Sequence, residues 1–200
     1  QCYHYYRDGS RSINTNMRVI SGTRKRLQLQ TVSGMHTRPT QDRIKETLFN
    51  MIQNDLCDAQ FLDVFAGSGQ MGIEALSRGA ACAYFIENNR LALDCIHRNI
   101  VHTKFEDEAF ILPGDVIYEL RNLEGRMQFD IIFIDPPYHN GLEENVLQTI
   151  LQSDLLAEDG YVIVEADLHT EFSFVKDLGY RILNEKVYKT NKHIFLAKDE

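Results

Sequence analysis

Long apolar runs are missing from this chain: Ile131 to Ile134 and Tyr161 to Val164 are four residues each, and nothing approaches the roughly 20 that cross a bilayer. No transmembrane helix is expected, and the chain reads as soluble. Proline is scarce, at 4 of 200 residues, and glycine is modest at 12, beside 44% hydrophobic and 25% charged residues. That balance excludes disordered and collagenous chains and describes one globular domain. The 4 cysteines, Cys2, Cys57, Cys82 and Cys95, include no C-x-x-C pair and no short metal-type spacing, so neither a disulfide scaffold nor a metal site is expected. Cys57, Cys82 and Cys95 read as small, mostly buried hydrophobes in a reducing cytoplasm. Gln1 to Asn16 has no apolar h-region, so no export signal is read there.

Positive charge is in deficit overall, with 21 Lys and Arg against 29 Asp and Glu and a net charge of -8. The deficit is uneven. Residues 1–50 hold nine basic against three acidic side chains, and residues 51–200 hold 12 against 26. A basic arm on an acidic body is the pattern of a segment that meets phosphates while the remainder does something else.

Gln1 to Asn16 is polar and aperiodic and is expected to be an added or mistaken extension, with the natural start at Met17 and a single domain over 17–200. Met17 to Leu29 predicts a short basic hairpin. Thr40 is expected to cap a helix in which Ile44, Leu48, Phe49 and Ile52 recur at helical spacing through Asn54. From Gln60 onward short apolar strands alternate with amphipathic helices, the mark of an α/β, Rossmann-like doubly wound sheet. Strands are expected at Phe61 to Phe65, Ala83 to Glu87, Ala109 to Leu112, Phe129 to Ile134, Tyr161 to Glu165, Tyr180 to Val187 and His193 to Ala197. Helices are expected near 70–78, 89–103, 115–123, 142–152 and 168–178. About five residues join the last two strands, too few for a crossover, so these form an antiparallel hairpin in an otherwise parallel, seven-stranded mixed sheet.

Asp63-Val64-Phe65-Ala66-Gly67-Ser68-Gly69-Gln70-Met71-Gly72 reads as strand end, glycine turn and helix start. Gly67 and Gly69 let backbone approach a ligand, and Gly72 lets the helix pack closely on the sheet. Glu87, 20 residues after Gly67, suits two ribose hydroxyls. NAD and another adenosine-bearing ligand fit these residues almost equally. Asp63 shifts the balance, because it repels a pyrophosphate and attracts an ammonium. Phe65 and Ala66 also make the loop wider than the tight dinucleotide turn. Asp115, after the third strand, can accept from an adenine amino group or cap the next helix.

Asp135-Pro136-Pro137-Tyr138 closes the fourth strand of the sheet. Two prolines hold a rigid, extended course, which fixes the Asp135 carboxylate and the Pro136 carbonyl as two acceptors beside an aromatic ring. That set suits an exocyclic amine on a flat base, with Tyr138 stacking on the ring. The amine lone pair is delocalised, so accepting its protons and aligning it with an activated methyl are what the reaction needs.

With these residues in place, Met17 to Ala197 resembles the RsmD family, bacterial S-adenosylmethionine-dependent methyltransferases acting on a guanine N2 of small-subunit rRNA. The resemblance rests on Met17 to Gly22, Arg38 to Asn50, Asp63 to Gly79 and Asp135 to Tyr138. It implies a class I methyltransferase fold with sheet order 3-2-1-4-5-7-6 and S-adenosylmethionine as cofactor, S-adenosylhomocysteine being its product. It also implies a cofactor site of Asp63, Phe65, Ala66, Gly67, Ser68, Gly69, Glu87 and Asp115, and a catalytic element of Asp135, Pro136, Pro137 and Tyr138. The expected partner is small-subunit rRNA, within an assembly particle carrying ribosomal proteins, with neither membrane nor metal. Arg18, Arg24, Lys25, Arg26, Arg38 and Arg43 are the expected phosphate contacts. Adenine-N6 methylation of DNA or another RNA, and more distantly an NAD-dependent oxidoreductase, stay open.

Overall fold

Ile131, Ile132, Phe133 and Ile134 are all buried, which means that this strand has protein on both faces, as in a parallel sheet covered by helices on both sides. The computed structural model describes residues 14–32, 39–137 and 141–199. Strands β1 (Asn14–Arg18) and β2 (Gln28–Thr31) form an antiparallel hairpin, followed by α1 (Pro39–Met51) and a 3-10 turn at Gln53–Asp55. The chain then runs β3 (Gln60–Asp63), α2 (Gln70–Ser77), β4 (Cys82–Glu87), α3 (Arg90–Thr103), β5 (Ala109–Pro113), α4 (Val116–Asn122), β6 (Phe129–Ile134), α5 (Leu142–Gln152) and β7 (Leu156–Asp167). It ends with α6 (Val175–Leu178), β8 (Tyr180–Val187) and β9 (Asn191–Lys198).

The main sheet has seven strands in the order β5-β4-β3-β6-β7-β9-β8. Counted from β3, this is the expected 3-2-1-4-5-7-6. Strands β5 through β7 are parallel, and β9 is antiparallel to both β7 and β8. Residues alternate between two cores. Phe61, Phe85, Ile131, Phe133 and Ile163 face α1, α2, α3 and the hairpin; Leu62, Ile86, Ile132, Ile134 and Val164 face α4, α5 and α6.

Three local expectations are corrected. Pro39 opens α1, where its missing N–H costs nothing, so Thr40 lies inside the first turn and does not cap it. The helix expected at 168–178 is one turn, Val175–Leu178. Strand β7 runs on to Asp167, whose carboxylate accepts from His169 N at 2.9 Å, an Asx-type turn that competes with helix initiation. Cys95 is buried and Cys82 half-buried, but Cys57 is exposed in the turn before β3. Residues 1–13 of the expected extension lie outside the described set, and β1 begins at Asn14, ahead of Met17.

The hairpin is fastened to the sheet's helices by buried polar groups. Glu74, fully buried on α2, accepts from Ile20 N at 2.8 Å, Ser21 N at 3.0 Å and Arg78 Nε at 2.8 Å. Arg78 also donates to Asn50 and Gln53 at 3.0 and 2.9 Å and lies over the Phe49 ring. Ser77 O accepts from Thr23 N. A Cβ on Gly22 would stand 1.7 Å from that same oxygen, at φ +83, so only glycine permits the contact. From α3, buried Asn99 exchanges hydrogen bonds with the backbone of Gln30 and donates to Ser68 O. Replacing Glu74 with Ala strips a buried guanidinium and two amides of their acceptor. It should destabilise the protein by about 3–5 kcal/mol, read from the midpoint and slope of urea unfolding.

Candidate active site

Strand order reverses at β3, with β4 on one side and β6 on the other, and the carboxyl end of such a switch point is where open α/β sheets bind ligands. After Asp63 the chain bonds to both neighbours, Val64 N to Phe133 O at 2.9 Å and Ala66 N to Ile86 O at 3.0 Å, before turning through Gly67 and Gly69 into α2. A Cβ on Gly72 would lie 2.3 Å from Phe85, so α2 rests directly on the sheet. Above this turn opens a cleft of about 620 Å³. Asp63, Phe65, Ala66, Gly67, Ser68, Glu87, Asp115, Asp135, Pro136 and Pro137 all line it. Gly69 does not. It caps α2 in the left-handed conformation and faces Ile96 and Phe85. Tyr138 and Arg38 lie outside the described residues.

Each carboxylate is held differently. Glu87 accepts from Gly67 N at 2.9 Å, Asn88 N at 2.9 Å and Asn89 N at 2.8 Å. It therefore pins the glycine loop, and three of its roughly four lone-pair directions are taken, a structural duty the expected ribose role did not include. Asp115 caps α4 through Tyr118 N at 3.1 Å and still lines the cleft, so both of its expected roles coexist. Asp63 is 1% exposed, and neither of its oxygens has a partner in hydrogen-bond geometry. Burial raises its pKa to about 7; the Gly72 N–H offsets part of that rise, and the Glu87 charge adds to it. Asp135 opens onto the cleft, but protein thins the solvent around its other sides. That desolvation, then the charges of Glu165 and Asp63, hold its pKa well above the carboxylate range.

An unpartnered buried carboxylate asks for a cation, and no side chain caps the start of α2, whose amides suit an anion. Ammonium and carboxylate together describe an amino-acid moiety. Glu87 and Asp115, further along the same cleft, fit a nucleoside. The hairpin and helices add Met17, Thr31, Gln41, Gln70, Ile117, Leu142 and Val146 to the lining. Gln70 and Met71 were findable from their place after the glycine loop. Met17 and Thr31 were not, because nothing local says that the hairpin folds back over Ser68.

The basic residues divide. Arg18, Lys25, Arg26 and Arg43 line a second hollow of about 520 Å³ with Asp42 and Glu46. Arg24 is elsewhere: its Nε donates to Thr103 O and its guanidinium lies 4.9 Å over the Phe105 ring, so it serves as a hairpin anchor. Lys45 is buried, donates to Arg18 O at 3.0 Å, and has its pKa lowered by desolvation. Among the described residues no helix is long and apolar enough to cross a membrane, and no group of three or more His, Cys, Asp or Glu could hold a metal ion.

Sheet order, glycine turn and cleft together define a Rossmann-like class I methyltransferase fold. Residues 17–196 match the family model described as conserved hypothetical protein 95, and the chain belongs to this family, the RsmD family. It is 38% identical over 156 residues to YlbH, a candidate rRNA methyltransferase of Bacillus subtilis, covering 78% of this chain and 85% of the relative. It is 33% identical over 152 residues to ribosomal RNA small subunit methyltransferase D of Escherichia coli, covering 76% and 75%. Among solved structures, the Escherichia coli candidate methyltransferase yhhF superposes with a TM-score of 0.81 at 31% identity, over 92% of this chain and 98% of that one.

The Asp63 carboxyl keeps its proton in the folded protein up to pH about 7, while the unfolded chain loses it near 4. The unfolded state therefore binds fewer protons across that window, and the contribution of Asp63 to stability falls as pH rises from about 4 to 7. Asp63→Asn lacks this dependence. In ligand-free protein the variant and wild type should unfold alike near pH 4, with the variant ahead by up to about 4 kcal/mol at pH 8. Urea titrations at three pH values check this, and a gap independent of pH would remove the buried-charge account of Asp63.

Proposed function

We propose that the protein transfers a methyl group from S-adenosylmethionine to the exocyclic N2 of a guanine in small-subunit rRNA. The observation that carries this reading is the shared cleft: Asp63 and Asp135 end neighbouring strands β3 and β6 and open on the same space. When bound, S-adenosylmethionine supplies an electrophilic methyl on a sulfonium. Asp63 would hold its ammonium, the start of α2 its carboxylate, and Glu87 and Asp115 its nucleoside. The residues present fit that group, because a buried carboxylate without a hydrogen-bond partner faces the position where a cation is needed. The names borne by the curated relatives support small-subunit rRNA as the substrate.

At the other end of the cleft, Asp135 accepts an N–H hydrogen bond from the amine, which returns lone-pair density to nitrogen, and takes the proton released once nitrogen is alkylated. The raised pKa of Asp135 suits that second duty, since a more basic carboxylate is the better acceptor near neutral pH. Buried Pro136 contributes no N–H and holds the chain course. The hollow lined by Lys25, Arg26 and Arg43 meets RNA phosphates. Such contacts position the substrate while the cleft selects the base. Met17 lines the cleft and Arg18, next in the chain, lines the hollow, so the two sites adjoin across β1.

The test is transfer of labelled methyl to naked small-subunit rRNA, to small-subunit assembly particles and to unmethylated duplex DNA. N2-methylguanine in rRNA or particles is expected; label in DNA alone would move the chemistry to adenine N6. Asp135→Asn should abolish turnover while S-adenosylhomocysteine still binds. In the wild type the acid limb of the rate profile should sit above the ordinary carboxylate range, with rate rising as Asp135 ionises. Lys25→Ala, Arg26→Ala and Arg43→Ala together should reduce the salt slope of RNA binding by about 0.7–0.9 for each phosphate no longer neutralised, leaving cofactor affinity unchanged.

A further inference from the structure

Beside Asp135 stands a second carboxylate that the cofactor site does not use. Strands β6 and β7 are parallel with Ile134 opposite Val164, so Asp135, just past the end of β6, comes beside Glu165, two residues before β7 ends. The alternation that sends Phe133 and Ile163 to one core sends these two to the same face. Both Glu165 oxygens are held from β9. Asn191 Nδ2 donates to Oε1 at 2.7 Å, and His193 Nε2 lies 3.1 Å from Oε2. His193 is 1% exposed, packs edge-on against Phe133, and has its Nδ1 3.3 Å from the Tyr188 hydroxyl. An ionised carboxylate only accepts, so Nε2 donates to Glu165, and Nδ1 pairs with the Tyr188 hydroxyl, accepting from it when the imidazole is neutral and donating to it when it is charged.

This network exceeds what joining two strands requires, since Glu165 and His193 are already paired across the β7–β9 ladder. Its effect is to fix the rotamer of a carboxylate whose side chain keeps 20% exposure on the strand next to Asp135, behind the part of the cleft that Asp135 lines. Guanine presents two adjacent donors on one edge, N1–H and the N2 amine. Adenine presents its amine beside an N1 lone pair, which a carboxylate repels.

We propose that Glu165 is a specificity-determining residue of the target pocket, its carboxylate accepting the N1–H of the target guanine while Asp135 accepts at N2. Asn191 and His193 are positioning residues that hold Glu165 in place. The inference rests on the guanine-N2 reading above and adds the group that makes the base a guanine. The two carboxylates lie on adjacent strands one position past the Ile134–Val164 pair, and the Glu165 charge acts on Asp135.

In the RNA that the wild type labels, the modified guanine is replaced by 2-aminopurine, which keeps the N2 amine and carries a lone pair where guanine has N1–H. The wild type should prefer guanine by at least about 100-fold in kcat/KM, as expected where a built acceptor meets a substrate lacking its donor. Glu165→Gln, whose amide can donate to that lone pair, should bring the ratio below about 10 with S-adenosylhomocysteine affinity unchanged and Tm lowered, because one of the two β9 donors loses its acceptor. Glu165→Asp, which keeps the charge on a shorter arm, should lose rate and keep the preference, and it replaces the Gln variant if that one does not fold. A wild type that accepts both bases equally, or a Gln variant with the wild-type ratio, overturns the assignment while leaving guanine-N2 methylation intact. A wild type that labels no guanine N2 overturns that reading and this one together.

Discussion

A carboxyl group buried without a hydrogen-bond partner is costly in its charged form, and Asp63 occupies that position at the centre of the sheet. Its strand is the one at which the order of the sheet reverses, so every element that reaches the cleft is placed with respect to it. The carboxyl ends of the parallel strands continue the theme. Glu87 ends β4, Asp115 and Asp135 follow β5 and β6, and Glu165 lies two residues before the end of β7. Such a row repels itself, and the protein offsets the repulsion unevenly. Glu87 has three backbone amides, Asp115 one, and Glu165 two side-chain donors. Asp63 and Asp135, on adjacent strands, are the two whose pKa rises. The unmet electrostatic demand is thereby concentrated between β3 and β6, where the proposed reaction takes place.

The second constraint is the docking of the amino-terminal hairpin. Glu74, Ser77 and Asn99 are buried polar groups in helices, positions that apolar residues usually take. They are tolerated because the hairpin supplies backbone donors and acceptors for them. In return the hairpin closes one side of the cleft with Met17 and Thr31 and presents Lys25 and Arg26 outside it. Asn99 touches both Gln30 and Ser68, so hairpin and glycine loop share a single side chain.

Much of this was legible in the sequence. Strands buried on both faces announce themselves as apolar runs, and the glycine spacing and Asp-Pro-Pro element lie at strand ends whatever the details of packing. The short link between β8 and β9 exposed the antiparallel hairpin, and with it the mixed sheet. What escaped depends on contacts distant in the chain. Arg24 reads as one of three consecutive basic residues, yet its guanidinium is committed to Thr103 and Phe105, 79 and 81 positions away. Glu165 is a single polar residue inside an apolar strand and His193 closes a polar run at the start of another, so neither carries a local signal of the other, and only the β7–β9 register brings them together. The helix expected at 168–178 failed for a local reason: an Asx turn at Asp167 bends the chain before a helix can start.

The fastening of the hairpin also governs the order in which the chain can acquire its structure. Glu74 and Ser77 lie 53 to 56 residues beyond the hairpin backbone they bind, and Thr103 lies 79 beyond Arg24. Contacts that distant form only after the intervening chain has emerged and closed into a loop. During synthesis, at about 5–20 residues per second, the hairpin leaves the ribosome before α2 and α3, and its apolar side chains Met17, Val19 and Leu29, buried in the finished protein, wait several seconds for them. The segment proposed to grip RNA is thus made before the helices that seat it.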